Sequence, residues 1–423
     1  MNLNTFINKT KKRFIELWNF KIFRYAVLIH GFYFILSLIL TLVFFREQND
    51  FLVYYKVGEV FIYDINELYN RVNYLWPFRY LPISAILFVP FYLLGFDLGL
   101  IIFNLINLLL NVLICDILYK IIIHLRKEDH EKDDKRIITY ICLFLMGLPN
   151  LFNYILGQIN LYVTLLILLS LFLFLTHEGL KWDLIASIIL GFSAIIKPIT
   201  IFMIPFLLIL NFDYKQRKLN FDVKRSLIRV IGVLLPIMLN IFLFLLYPAL
   251  WEGFLTTNFT GDEPVILNHS FSLTKIILNI YTFFNIATNP LLIFLLILFI
   301  FGGTSFLVYI FQIRNDKSII FAYLFGILIM LIAYYDSWTH HLLVLTPLLI
   351  ILIFYLSKNS EITKKFIKPS FFFLNFFDLA FMGIWFITQK WFPFNFVSTF
   401  FLFIILYGLS KVCLKKGSNH QKS

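Results

Sequence analysis

Long apolar blocks alternate with short polar segments along almost the whole chain. Most blocks run for about 15 to 25 residues, the length that an α-helix needs to cross a hydrocarbon core about 30 Å thick. They fall near residues 25–45, 99–123, 137–155, 160–176, 184–196, 198–211, 230–250, 288–311, 319–335, 342–357, 371–389 and 395–412. This pattern predicts an all-α polytopic membrane protein with about 12 transmembrane helices.

Three apolar segments depart from the pattern. Residues 81–96 are short and are broken by Pro82 and Pro90. Residues 184–196 and 198–211 are also short, and the Lys197-Pro198 step divides them. This pair is either two spans or a re-entrant hairpin, and a hairpin is tolerated only where protein or a water-filled cavity surrounds it.

The composition excludes a water-soluble protein. Charged residues make up only 14% of the 423 residues, whereas a soluble domain has about 25%. The net charge of +12 could favour nucleic acid, but the basic residues lie in short loops between apolar blocks, so no nucleic-acid partner is expected. The three cysteines lie in or near apolar stretches and indicate neither a disulfide framework nor a zinc site.

The distribution of Lys and Arg orients the chain. With a cytoplasmic N-terminus, 29 of the 36 Lys and Arg residues lie on the cytoplasmic side, which is a strong positive-inside bias. If residues 81–96 crossed the bilayer, every later loop would change sides, so we predict that this segment lies against the outer leaflet. The chain is thus predicted to be an integral plasma-membrane protein with a cytoplasmic N-terminus at 1–24, one transmembrane domain at 25–412 with external loops at 46–98 and 251–287, and a cytoplasmic tail at 413–423.

Ionisable residues near the outer boundary are candidates for function, because charge at membrane depth is costly. Asp50 follows the first span, where a lipid-borne phosphate and an acceptor hydroxyl can meet; the alternative is an inert, solvated loop carboxylate. Tyr54 and Tyr55 belong to the aromatic cluster after it, which is either an interfacial belt or a sugar-stacking surface. Arg79, in the segment WPFRYLP, offers a planar fork that suits phosphate, or it anchors a helix at the headgroups.

Further candidates lie at later turns on the same predicted side. Gln158 and Asn160 belong to the turn GQIN, although a helical hairpin needs a Gly-polar turn in any case. Lys197 either meets an anionic lipid phosphate or extends to the headgroups. His340 and His341, in DSWTHH, point about 100° apart on a helix, so they do not suit a single metal ion. An imidazole that donates to a lipid phosphate fits better, and a general acid is the alternative.

Taken in order, several segments resemble a known family. They are DFLVYYKVGEV, FRYLPISAILFVPFYLL, LGQINLYVTLLILL, LGFSAIIKPITIFMIPFLLIL, LNHSF and DSWTHHLLVLTPLLI. Their order and spacing resemble the polyprenyl-phosphate-mannose-dependent mannosyltransferases of the GT-C superfamily, and more closely the bacterial and archaeal α-mannosyltransferase-like family. The resemblance implies a GT-C-like fold and an inverting sugar transfer on the external face, from a polyprenyl-phosphate donor to a hydroxyl of a lipid or glycan acceptor.

The resemblance also implies roles for individual residues. Asp50 stands at the position of the general base, and Arg79, Lys197, His340 and His341 are expected to hold the donor phosphate or sugar. The other residues expected to line the cavity are Tyr54, Tyr55, Tyr80, Gln158, Asn160, Asp262, Asn268, Ser270 and Trp338.

Two positions depart from the family's pattern: Leu81 stands where a proline is usual, and His269 stands where the family has the glutamine of an Asn-Gln-Ser motif. No cofactor or metal is expected, although Asp262 together with Asp50 leaves a metal site open. The expected partners are the polyprenyl-phosphate sugar, the acceptor and membrane lipids. Mannose is the family's usual sugar, with arabinofuranose or glucose open; the acceptor and the oligomeric state are not determined by the sequence.

Three other functions fit parts of the pattern. A transporter or flippase is expected to carry its key charges near the bilayer midplane at broken helices, and the Lys197-Pro198 break is the feature that it would use. A non-catalytic scaffold gives no reason for Asp50, Arg79 and the His pair to share one face. A polymerase or ligase of lipid-linked glycans has the same topology with a larger donor. Because the candidates gather at the predicted outer boundary, the sequence favours a glycosyltransferase.

The predicted orientation can be tested by cysteine accessibility. We expect Asp97→Cys to react with a membrane-impermeant thiol reagent added outside the cells, because its position is predicted to be external. His130→Cys should be protected from the same reagent, because its position is predicted to be cytoplasmic. Both substitutions are made in a cysteine-free background, and the reverse labelling pattern would show that residues 81–96 cross the membrane.

Overall fold

Helices account for nearly all of the regular structure in a computed structural model of this chain. The structure describes residues 15–126, 134–213, 216–260, 270–312, 316–357, 360–378, 384, 387 and 396–419. Its α-helices are α1 Lys21–Ile39, α2 Asp50–Tyr63, α3 Val89–Leu93, α4 Phe96–Leu125, α5 Asp134–Leu145, α6 Leu148–Ile155, α7 Asn160–Thr176, α8 Leu180–Ile196, α9 Val223–Leu246, α10 Pro248–Leu255, α11 Leu273–Phe283, α12 Pro290–Ile297, α13 Gly303–Ile310, α14 Ile319–Ala333, α15 Leu342–Tyr355, α16 Lys368–Phe372 and α17 Phe396–Asn419. Short 3₁₀ helices cover Ile65–Tyr69, Arg71–Asn73, Pro82–Phe88, Pro198–Leu207, Asp316–Ser318 and Thr339–His341, and π-helical turns cover Leu40–Phe44, Thr256–Thr260, Leu298–Gly302, Thr363–Ile367 and Phe373–Phe377.

Within the described residues, six helical stretches are long and apolar enough to cross a membrane. They are Lys21–Phe44, Phe96–Leu125, Asp134–Ile155, Val223–Leu246, Pro290–Ile310 and Val397–Leu414. Shorter apolar helices cover Pro82–Leu93, Asn160–Thr176, Leu273–Phe283, Ile319–Ala333 and Thr339–Tyr355. The prediction of a polytopic helical membrane protein agrees with this architecture, whereas the count of about 12 spans and the orientation of the termini stay predictions.

Two of the shorter apolar helices form the centre of the bundle. Every residue of α14 is buried, and so is α15 from Leu342 to Phe354. A helix that is apolar on all faces lies either inside a protein or against lipid, and these two helices lie inside. By contrast, the stretch Pro290–Ile310 exposes Leu292 and Phe299, as a lipid-facing helix does. The segment 334–341, which joins the two central helices, therefore lies at one end of the buried centre of the bundle.

The predicted span 137–155 is divided into α5 and α6. Pro149 lies at the start of α6 and has no backbone N–H, so an uninterrupted helix would lose a hydrogen bond there. Gly147 lies between the two helices against Asn375, and a Cβ at this position would come within 2.2 Å of the Asn375 side chain. The side-chain amide of Asn375 donates to the carbonyl of Leu143 at 2.7 Å, which fixes the bend.

The second half of the short pair, 198–211, is not an α-helix. Residues Pro198–Leu207 form a 3₁₀ helix that contains Pro205, and prolines without N–H donors account for the irregular helix. Strand β1, Leu210–Asp213, then pairs antiparallel with β2, Lys218–Phe221. The sequence analysis did not predict this hairpin, because four-residue strands are too short for a recognisable alternation of polar and apolar residues. The fold remains nearly all helical.

Residues 81–96 contain a seven-residue 3₁₀ helix, Pro82–Phe88, followed by the five residues of α3. Together these span about 20 Å, which is less than the roughly 30 Å of a hydrocarbon core. The segment packs closely on α2 at Gly58, where a Cβ would come within 2.6 Å of the Phe88 carbonyl oxygen. This length favours the predicted non-spanning helix, and its side of the membrane stays a prediction.

Three polar side chains from different helices meet inside the bundle. His30 Nε2 of α1 lies 3.0 Å from the hydroxyl of Tyr154 in α6. Asn111 Nδ2 of α4 donates to the same hydroxyl oxygen at 3.2 Å. Polar groups in an apolar bundle are costly unless they are hydrogen-bonded, so this cluster joins the three helices.

Replacing Tyr154 by Phe removes the oxygen that His30 and Asn111 share. We expect Tyr154→Phe to lower the free energy of unfolding by about 1 kcal/mol, because interhelical hydrogen bonds in membranes contribute about 0.6 to 2 kcal/mol. Unfolding in detergent, followed by circular dichroism, measures the change. Tyr25→Phe is the matched control, since Tyr25 is an exposed tyrosine of α1. Equal stability of the two variants would contradict a stabilising role for the cluster.

Candidate active site

Asp50 is the first residue of α2, and its position is fixed by a distant turn. Its backbone N–H donates to the carbonyl of Leu156 at 3.0 Å. Gln158 Nε2 donates to Asp50 Oδ2. The side chain of Asn49 caps the helix by accepting from the N–H of Leu52 at 3.0 Å. The carboxylate is therefore held at a helix start that is locked onto the GQIN turn.

The close approach of α2 to this turn requires Gly157. Its φ of +66° lies in the left-handed region, which side chains other than glycine rarely adopt. A Cβ at Gly157 would also come within 2.6 Å of Phe51 Cβ. The requirement for glycine at position 157 thus does not come from the helical hairpin alone: a residue without a side chain lets Gln158 reach Asp50.

Tyrosine hydroxyls extend the network around Gln158. The Tyr54 hydroxyl donates to Gln158 Oε1 at 3.3 Å and lies 3.0 Å from the Tyr80 hydroxyl. The Tyr54 ring stacks on Phe88, with centroids 4.5 Å apart. Burial raises the pKa of both tyrosines above the ordinary value, so they stay protonated. Both predicted cavity residues therefore belong to the Asp50 network.

Tyr55 does not join this network. Its ring packs against Tyr92 and Phe96, with centroids 5.3 and 5.7 Å away. Consecutive residues of a helix point about 100° apart, so Tyr54 and Tyr55 contact different neighbours. The prediction that Tyr55 lines the cavity has no support from these contacts.

Lys197 lies between α8 and the following 3₁₀ helix, and its side chain is buried. Its ammonium donates to Asn160 Oδ1 at 2.7 Å, and Asn160 Nδ2 donates to Asn153 Oδ1 at 3.3 Å. Asn160 is the first residue of α7 and belongs to the same GQIN turn as Gln158. One turn therefore holds both charges, since its glutamine binds Asp50 and its asparagine binds the lysine.

Burial shifts the pKa of both Asp50 and Lys197. It raises the pKa of Asp50 to about 6, opposed by the hydrogen bond from Gln158 and by the charge of Lys197. It lowers the pKa of Lys197 to about 7, opposed by the charges of Asp50 and Asp336. Each charge thus stabilises the other, and carboxylate and ammonium coexist between about pH 6 and pH 7.

Arg79 reaches the DSWTHH segment through Asp336. Its guanidinium pairs with Asp336 Oδ2 at 2.9 Å and lies over the Tyr335 ring, 5.6 Å from the centroid. Asp336 Oδ1 accepts a hydrogen bond from Trp338 Nε1 at 3.3 Å. Arg79 and Asp336 are mostly buried, with side chains 13% and 24% exposed. Their ion pair is therefore screened less by water than an exposed surface salt bridge, which contributes little.

A backbone hydrogen bond determines which nitrogen of the His341 imidazole carries the proton. The backbone N–H of Trp338 donates to Nδ1 of His341 at 3.0 Å, so Nδ1 carries no proton and the neutral ring carries its proton on Nε2. The backbone N–H of His341 donates back to the carbonyl of Trp338 at 2.8 Å. The rings of His340 and His341 lie 4.4 Å apart, and both residues are buried. His341 is thereby prepared as an uncharged hydrogen-bond donor.

Ser270 ties the middle of the second predicted external loop, 251–287, to the same segment. Its Oγ accepts from the N–H of Ser337 at 3.1 Å, and the N–H of Phe271 donates to the carbonyl of Ser337 at 3.0 Å. Asp262 and Asn268 lie outside the described residues. In the part of the chain that the structure describes, no three His, Cys, Asp or Glu side chains come together as a metal site.

Two contacts in this region were not anticipated from the sequence. Asp336 bridges Arg79 and Trp338, although the sequence predicted a role only for its neighbours. Asp378 accepts hydrogen bonds from Thr339 Oγ1 at 2.5 Å and from Ser398 Oγ. A signal for Asp378 was present, because it is the only acidic residue between 362 and 423 and lies within an apolar block.

These contacts bring together predicted residues from six separate segments of the chain. Carboxylate, ammonium, guanidinium and imidazole groups meet in one buried polar region of a polytopic helical bundle, which is the arrangement of a membrane-embedded enzyme. Comparison with known families gives one match: residues 78–334 match glycosyltransferase family 87.

The match covers more than half of the chain, and the chain belongs to this family. The protein is therefore a membrane glycosyltransferase. Arg79, Gln158, Asn160 and Lys197 lie inside the matched segment, whereas Asp50 and the His pair lie outside it. No curated protein and no solved structure matched the chain significantly.

Proposed function

We propose that the protein is an inverting GT-C-type hexosyltransferase. It moves a sugar from a polyprenyl-phosphate donor to a hydroxyl of a lipid or glycan acceptor on the external membrane face, with Asp50 as general base. Mannose is the sugar that the sequence resemblance implies. The observation that carries the proposal is the GQIN turn, which binds Asp50 through Gln158 and Lys197 through Asn160. A base and a phosphate-binding cation are thereby held in one rigid unit.

Asp50 has the properties of a base for a sugar hydroxyl. Gln158 occupies Oδ2, which leaves Oδ1 for the acceptor. A pKa of about 6 keeps the carboxylate ionised at neutral pH and makes it more basic than an ordinary aspartate. As the acceptor oxygen bonds to the anomeric carbon, its proton passes to Asp50. The bond from that carbon to the phosphate oxygen breaks on the opposite face, and the configuration inverts.

The leaving phosphate takes the electron pair of the broken bond and gains one negative charge. Lys197 and Arg79 supply positive charge for it, and His341 supplies a neutral N–H. Before the donor binds, Asp50 and Asp336 balance these two cations. A polyprenyl-phosphate sugar adds one negative charge, and its leaving phosphate carries about two. Fixed donors and cations stabilise such developing charge without reorganisation.

The charge distribution supports an external site. Asp50, Arg79, Lys197 and the His pair all fall on the predicted external side, to which the predicted topology assigns only seven of the 36 Lys and Arg residues, and cytoplasmic loops are the basic ones. A nucleotide-sugar donor would require access from the cytoplasm, whereas a polyprenyl phosphate can enter a site at the outer leaflet from within the bilayer.

The general-base role is tested by replacing Asp50 with Asn. Asp50→Asn should fold normally, because the amide oxygen still accepts from Gln158, and should lose sugar transfer by about 10²- to 10⁴-fold, the usual contribution of a general base. Transfer of radiolabelled mannose from polyprenyl-phosphate-mannose in membranes measures the loss. Glu59→Gln makes the same carboxylate-to-amide change on α2, at a residue paired with Lys56, and should retain activity. Transfer near the wild-type level by Asp50→Asn would refute the assignment.

The two shifted pKa values predict a narrow bell-shaped pH profile of kcat/KM for the donor. Activity should fall below about pH 6, where Asp50 is protonated and cannot accept a proton. It should fall again above about pH 7, where Lys197 loses its charge. In the profile of kcat the alkaline limb should move upward, because a bound phosphate stabilises the ammonium.

Lys197→Arg identifies the alkaline limb. A guanidinium stays charged at all accessible pH values, so this variant should lose the fall above pH 7 and keep the fall below pH 6. An unchanged alkaline limb in Lys197→Arg would show that another group titrates there.

A further inference from the structure

Asp378 is a buried carboxylate in the C-terminal part of the chain, outside the family match. It is 5% exposed and lies between the residues of α16 and those of α17. Oδ2 accepts from Thr339 Oγ1 at 2.5 Å, and Oδ1 accepts from Ser398 Oγ. A carboxylate in an apolar bundle is costly, and apolar packing alone gives no reason for it. The two hydroxyl donors explain the carboxylate, because it accepts through both oxygens and so binds Thr339 and Ser398 at once.

Thr339 is the first residue of the 3₁₀ turn Thr339–His341. A turn of three residues has little stability of its own, so outside contacts determine where it lies. The Thr339 side chain is anchored to Asp378, and His340 and His341 follow directly in the chain. A displacement of Thr339 therefore moves both imidazoles.

The last helix also holds the other side of the same segment. Thr399, next to Ser398 on α17, donates to the carbonyl of Phe271, and the N–H of Phe271 donates to the carbonyl of Ser337. Ser398 and Thr399 thus connect one turn of α17 to both ends of the segment 337–339. The C-terminal part of the chain therefore contacts the segment 337–339 at both ends. Asp378 makes the contact at Thr339, next to the histidines.

We propose that Asp378 is a positioning residue for sugar transfer: through the Thr339 hydroxyl it holds His340 and His341 in place at the donor phosphate. The placement of the His pair at the phosphate rests on the proposed function. The mechanical part, that Asp378 holds the His turn, does not.

The mechanical part is tested without any sugar donor. Diethyl pyrocarbonate modifies accessible imidazoles, and peptide mass spectrometry measures the modification of each histidine. In wild-type protein His340 and His341 are buried and should react slowly. Asp378→Ala should increase their labelling several-fold relative to His177. This histidine is the internal standard, because it lies at the C-terminal end of α7 and not in the turn that Asp378 holds. Unchanged labelling of the pair in Asp378→Ala would overturn the proposal.

The catalytic part is tested by a double-mutant cycle on kcat/KM for polyprenyl-phosphate-mannose. Asp378→Ala should lower kcat/KM about 10- to 100-fold, the effect of misplacing a group by up to about 1 Å. In a background in which both His340 and His341 are replaced by Ala, the same substitution should cost less than about threefold, because the groups that it positions are gone. Additive losses would show that Asp378 acts on the fold in general, and would overturn the proposal.

Conservative variants separate positioning from loss of folding. Asp378→Asn should retain more activity than Asp378→Ala, because either hydroxyl can turn and accept from the amide. If Asp378→Ala does not fold, Thr339→Val and Thr339→Ser take its place; Val should reproduce the loss and Ser should not. Ser370→Ala, which removes a buried hydroxyl that donates to the Phe366 carbonyl in the same C-terminal segment, is the control and should change neither readout. Absence of transfer by the wild-type protein from any polyprenyl-phosphate sugar would refute the proposed function, whereas the labelling result stands independently of it.

Discussion

A half-buried carboxylate and a buried ammonium lie among the apolar helices of the bundle, where neither charge is tolerated without partners. Asp50 and Lys197 are stabilised there by each other and by two side-chain amides of one turn. The same burial brings the two pKa values close together around neutral pH. The properties that the proposed mechanism requires of its base, Asp50, and of its phosphate-binding cation, Lys197, both follow from this single constraint.

The rest of the site is arranged around that turn by local backbone requirements. Gly157 is needed because its left-handed conformation and the nearness of Phe51 exclude a Cβ. The central helices α14 and α15 are buried on every side, so the segment between them places Asp336 and the His pair at one end of the buried centre of the bundle. Arg79 reaches this segment through Asp336. The functional groups thus lie on turns, and the helices that carry the turns are rigid.

The family match and the site do not coincide. The matched residues 78–334 contain the two cations and the amides that hold the buried charges. Asp50 precedes this segment, and the histidines, together with Asp378, follow it. The contacts between these parts are hydrogen bonds between side chains far apart in the chain, such as Gln158 with Asp50 and Thr339 with Asp378. The site therefore depends on contacts of residues before and after the matched segment.

The amino-acid sequence by itself determined the class of fold and the candidate residues, because apolar blocks of membrane-spanning length and isolated charges beside them are local features. It located α4, α7 and α14 to within a few residues. It missed the β1–β2 hairpin and the break at Gly147, where short strands and a proline outweigh overall hydropathy. Only the tertiary structure decided which of two adjacent tyrosines joins Asp50, that Asp336 bridges Arg79 to Trp338, and that Asp378 reaches Thr339. These are contacts between groups brought together by packing, and no local pattern in the chain records them.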